Sequence, residues 1–126
     1  MKLPIRACLA TVLLASAVTV QAACVYPQAP QNIPNGATAT KEQMLEAQAN
    51  VKEYSSAVQE TYLPCLDTEL AAQIAALDPV DPEYAQKEIA LKSMQAKKHN
   101  AALDELTALA GRWSEEIKAF NVASKK

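Results

Sequence analysis

The residue types able to do chemistry in this chain are few, and the two most informative are Cys24 and Cys65. Cys24 follows the small residues Ala22 and Ala23, and Cys65 sits in the stretch Tyr-Leu-Pro-Cys-Leu. The third cysteine, Cys8, lies in a leader-like N-terminus. If that leader is removed, an even pair remains, and in an oxidising compartment an even pair favours a disulfide. The alternative is acylation of Cys24 as the first residue of an envelope lipoprotein, which would strand Cys65. Gln21 stands where a lipobox usually has Leu, Val or Ile, so the disulfide is the preferred reading.

No other group assembles a reaction centre. The single histidine, His99, has Met94 and Glu105 near it in sequence, but nothing completes a metal-ligand set, and a solvent-facing histidine is expected. Asp104-Glu105 and Glu115-Glu116 look like paired carboxylates. Neighbouring helix positions diverge by about 100°, so they read as solvated charges rather than an acid–base pair. With two glycines in all, the chain has no glycine-rich phosphate loop. No enzyme activity, cofactor or metal is therefore expected. Tyr54, Tyr62, Tyr84, Trp113 and Phe120 read as core filling with polar tips at the edge. A sharper reading is a recognition surface around Tyr26, Tyr62 and Cys65.

These side chains must be placed by the elements around them. Lys2 and Arg6, followed by the apolar run 7–20 and the cleavage-type triplet Val20-Gln21-Ala22, form a secretory signal over residues 1–22. Periplasmic or secreted export is the expected address. Cutting after Ala22 takes 22 of the 126 residues and leaves 104, enough for one small domain. The loss of Lys2 and Arg6 takes the formal charge from −2 to −4 with signs interspersed, so nucleic acid is not an expected partner. Membrane association is expected only if Cys24 is acylated.

Residues 23–40 read as an extended, Pro-rich arm. Pro27, Pro30 and Pro34 remove backbone donors and favour polyproline geometry, and Asn35-Gly36 suits a turn with positive φ. Thr40 and Gln43 form a capping box that opens a helix over 41–77. Its apolar stripe runs Met44, Ala47, Val51, Tyr54, Val58, Tyr62, Leu66, Leu70, Ile74 and Leu77. Pro64 interrupts that helix and predicts a kink at 60–64. The turn Asp-Pro-Val-Asp-Pro (78–82) leads into a second helix over 82–121, with Asp81 as N-cap and residues 122–126 as a frayed tail. Its seam is Leu103, Leu106, Ala110, Trp113, Ile117 and Phe120.

Two helices of similar length joined by a short turn predict an all-α fold, a long antiparallel hairpin with Met44 near Trp113 and Ile117. The arm is long enough to run back along the first helix, reaching about 50 Å as polyproline against the roughly 37 Å from Thr40 to Cys65. Alanine-rich helices bury little area each, so a partner is implied: a second copy or an envelope protein. Leu45, Leu91 and Leu109 lie off the shared stripe. With Tyr26 and Tyr62, Leu91 and Leu109 are the predicted interaction surface.

Cys24 followed by Pro27, the Pro-Asn-Gly-Ala-Thr-Ala-Thr turn at 34–40, and Tyr-Leu-Pro-Cys-Leu at 62–66 resemble a small family of exported, mostly helical proteobacterial proteins. The likeness covers residues 24–66 best, and Pro64 departs from the family's pattern. The resemblance implies a helical exported protein and brings no activity with it. Association without catalysis is the expected role, with a lipoprotein anchor or a small-ligand or metal carrier as alternatives.

Overall fold

The computed structural model of the chain describes residues 23–126; the expected signal over residues 1–22 lies outside them. The described residues form α1 (Lys41–Ser56), a π-helical segment (Ala57–Tyr62), α2 (Leu63–Ala75) and α3 (Tyr84–Ala123), with no strand among them. α1, the π segment and α2 follow one another without a break, and α3 packs on both α1 and α2.

The capping box at the start of α1 forms as its residue types require. The Gln43 backbone N–H donates to Thr40 Oγ1 at 3.2 Å, and the Thr40 N–H donates to Gln43 Oε1 at 2.8 Å. α3 starts at Tyr84, two residues later than predicted, and Asp81 is not its N-cap. The Asp81 carboxylate still acts there: Oδ1 accepts the Glu83 N–H at 2.8 Å, and Oδ2 pairs with Lys87. That ion pair holds the Asp81 carboxyl below, and the Lys87 ammonium above, their ordinary pKa values, hydrogen bonding between the two being the main cause. α2 ends at Ala75 rather than Leu77, and α3 runs on to Ala123, into the expected tail.

The core stripe of the first helical stretch is buried from Met44 through Leu66 at every position expected. Beyond it, Leu70, Ile74 and Leu77 are half-buried. The π segment explains how the stripe stays on one face. Tyr54, Val58, Tyr62 and Leu66 are separated by three steps of four, which in a regular α-helix drift about 40° per step. A ladder bonded i→i+5 has about 4.4 residues per turn, which cancels most of that drift. The Leu63 N–H bonds to the Val58 carbonyl in this wider pattern. Pro64 follows directly, and the wide turn accommodates the residue that cannot donate to an α-ladder. The interruption predicted at 60–64 is thus a π segment at 57–62.

Residues 23–40 hold neither helix nor strand. They are fixed at one end by the Cys24–Cys65 disulfide, with Cα atoms 5.8 Å apart, and Cys24, Ala29 and Ile33 pack against the core. Asn35 organises a turn, accepting the Ala37 N–H at its side chain and the Thr38 and Ala39 N–H groups at its carbonyl. No residue there has positive φ. Gly36 is needed for a different reason: a Cβ on it would overlap the Glu116 carbonyl and lie 2.9 Å from the Phe120 nitrogen. The backbone of this turn rests on the backbone of α3.

Candidate functional site

The residues with polar or reactive groups gather where segment 23–40 meets the helices. Cys24 is bonded to Cys65, so of the two roles weighed for it the structure shows the disulfide. Two residues on, the Tyr26 ring stands edge-on to Tyr62 at 4.9 Å and to Tyr54 at 6.5 Å between centroids. Its hydroxyl donates to Glu105 Oε2 at 2.8 Å and lies 2.6 Å from the Tyr54 hydroxyl. A carboxylate only accepts, so the single Tyr26 proton goes to Glu105 and Tyr54 donates to Tyr26. The relay Tyr54→Tyr26→Glu105 therefore ties the segment to α1 and α3 at once. Partial burial, then the bonds to Tyr54 and Glu105, push the Tyr26 phenol above the ordinary tyrosine pKa.

A second tie lies further along α3, where the Gly36 N–H donates to Glu116 Oε2 at 2.7 Å. Glu105 and Glu116 were both expected to be plain solvated charges; each instead accepts a hydrogen bond from the segment. They lie on the flank of α3 that also carries Ala102 and Leu109, which are 1% and 0% exposed. Leu109 is therefore a correction: it belongs to the core, not to an outward interaction surface. Tyr62, also predicted at that surface, is buried; Leu91 is half-buried; Tyr26 is 36% exposed.

The predicted seam is rotated by the same contacts. Leu106, Trp113 and Phe120 are half-buried as the seam requires, but Leu103, Ala110 and Ile117 are exposed. Two frames share Leu106, Trp113 and Phe120, one continuing through 103, 110 and 117 and the other through 102, 109 and 116. The structure buries the second. Segment 23–40 bonds to this second frame, through Glu105 and Glu116, from far away in sequence.

This leaves the opposite flank of α3 uncovered. Leu103 and Ile117 are each 38% exposed, and beside Ile117 the Leu45 side chain of α1 is 55% exposed. An open cleft of about 340 Å³ runs between α1 and α3 beside Ile117, lined by Met44, Leu45, Gln48, Trp113, Ile117 and Phe120, with Lys41 at its edge. Met44 thus shares a cleft with Trp113 and Ile117, the neighbours expected of it. On the covered side two polar clefts lie between the segment and α1, sharing Gln31, Asn32 and Asn50.

His99 is half-buried, Met94 is exposed, and Glu105 is engaged by Tyr26, so these three do not form a ligand group. Among the described residues no three His, Cys, Asp or Glu side chains gather as a metal-binding set. Among them, too, no helix is long and apolar enough to cross a membrane. No protein-family model, curated protein or solved structure matches the chain.

Proposed function

We propose that the chain is an exported, non-enzymatic interaction protein that works by self-association. In this reading α1–α2 and α3 form an antiparallel hairpin, and the Pro-rich arm is a strap that closes one flank. The other flank is left for a second copy. The observation that carries the proposal is the uncovered apolar flank of Leu45, Leu103 and Ile117 with its cleft, beside a covered flank that has a disulfide and two hydrogen-bonded ties. Burying that flank is worth about 25 cal/mol for each Å² of apolar surface removed from water.

The disulfide suits an oxidising, non-cytoplasmic compartment. The signal-type leader and the likeness to exported helical proteins support the same address. Sedimentation velocity on the mature, oxidised protein at micromolar concentration tests the reading. The expected result is a dimer that Leu103→Lys converts to monomer without loss of helix. A single species of monomer mass throughout that range removes the proposal.

A further inference from the structure

The uncovered flank of α3 has an internal symmetry in its sequence. Leu103, Thr107, Ala110, Ser114 and Ile117 recur at steps of four, three, four and three, and all five are exposed. Read from either end, the order is a large aliphatic residue, a hydroxyl residue, alanine, a hydroxyl residue and a large aliphatic residue. Beside the central alanine is Gly111, where a Cβ would meet nothing within 4 Å. Glycine inside a helix is unfavourable relative to alanine, and among the described residues no neighbour comes close enough to require it.

The charges repeat the symmetry. Asp104 and Lys118 lie along one edge of the stripe, six residues before and eight residues after Ala110, so they are nearly symmetric about its centre. Asp104 makes no ion pair among the described residues, and Lys118 has only the exposed Glu115, at 2.8 Å, on its own helix.

We propose that this flank of α3 is the contact surface for a second copy of the chain, lying antiparallel about a two-fold axis at Ala110–Gly111. This rests on the self-association reading and adds the face, the orientation and the axis. An isologous two-fold contact needs a surface on which residue i meets j and j meets i. The stripe supplies it: Leu103 lies against Ile117 of the second copy, Thr107 against its Ser114, and the small centres at 110 and 111 let the backbones approach. Each Asp104 faces Lys118 of the other copy, and this occurs twice. A parallel two-fold arrangement would instead place the charged edges of the two copies on opposite sides of the contact and lose both pairs. The stripe covers about 21 Å of helix, and Leu45 widens the contact beside Ile117.

Single-cysteine variants of the mature protein, with Cys24 and Cys65 already joined, test this by mild oxidation. Ala110→Cys links to itself, whereas Arg112→Cys, on the opposite side of α3, does not. Leu103→Cys links in a mixture with Ile117→Cys and not alone. Gly111→Leu raises the dimer dissociation constant by about tenfold or more while leaving the monomer folded. If wild type sediments as a dimer but Ala110→Cys fails to link, this face is wrong and self-association stands. Linking of Leu103→Cys to itself overturns the antiparallel orientation, and an undiminished dimer in Gly111→Leu overturns the close approach. Monomeric wild type overturns both proposals.

Discussion

The two flanks of α3 differ by one residue of helical rotation and have opposite environments. Ala102, Glu105, Leu109 and Glu116 face segment 23–40, whereas Leu103, Ala110 and Ile117 face outward. Apolar content does not explain the choice, because the outward set of Leu, Ala and Ile is the more apolar. The difference lies in polar pairing. The segment brings two donors, the Tyr26 hydroxyl and the Gly36 N–H, and only the inner flank places carboxylates at 105 and 116 to receive them. Gly36 is buried, and its N–H left without a partner would cost about 1–3 kcal/mol, which favours the frame that carries Glu116.

Four measurements would break or sharpen this contrast. The largest effect belongs to the disulfide. Its bond closes a loop with a sequence separation of 41, so Cys24→Ala with Cys65→Ala is expected to lower unfolding free energy by about 4 kcal/mol in urea titration. A loss near zero would show that the hydrogen-bonded ties alone hold the inner flank covered. Next comes the pair Leu109→Ala and Leu103→Ala, measured at concentrations too low for association. Leu109, fully buried, should cost about 3 kcal/mol, and Leu103 less than about 1 kcal/mol. Equal costs would erase the distinction between flanks.

The glycines give a smaller test with opposite signs. Gly36→Ala drives a methyl into α3 backbone and should destabilise by about 2 kcal/mol. Gly111→Ala meets open space in the monomer and should stabilise it by about 1 kcal/mol. A gain at both positions would mean that the turn at 36 does not rest on α3. The smallest effect is on pH dependence. Tyr26 holds its proton more tightly folded than unfolded, so above the ordinary value of 10.0 the unfolded chain binds fewer protons and stability falls as pH rises. Tyr26→Phe should flatten that alkaline slope and leave the profile below pH 10.0 unchanged in shape, as read by thermal unfolding across the range.

What the sequence made legible was local. The capping box at Thr40 and Gln43 and the stripe from Met44 to Leu66 are short-range patterns, and both are present. Pro64 marked the place of a helix irregularity, though not its kind. The π segment answers a drift spread over Tyr54 to Leu66, which becomes visible only when all four side chains are seen buried together. The frame of α3 was not legible, because its deciding contacts, Tyr26–Glu105 and Gly36–Glu116, span 79 and 80 residues. Periodicity could only return a tie between 102/109/116 and 103/110/117. Gly36 misled for a related reason: beside Asn35 it suggests positive φ, whereas its need is set by α3 backbone about 80 residues away.

The disulfide also has a mechanical meaning. It joins residue 24 to residue 65 and so takes the rest of segment 23–40, α1, the π segment and the first two residues of α2 out of any path of tension between Ala23 and Lys126. A load applied there passes from Cys24 straight into α2. The 41-residue stretch behind the bond represents roughly 140 Å of extended chain at about 3.5 Å per residue, and force cannot draw it out while the sulfurs remain joined. Under stretching the oxidised protein behaves as a much shorter tether, peeling α2 from α3. Chemical reduction would release the hidden length as a separate extension step of that size.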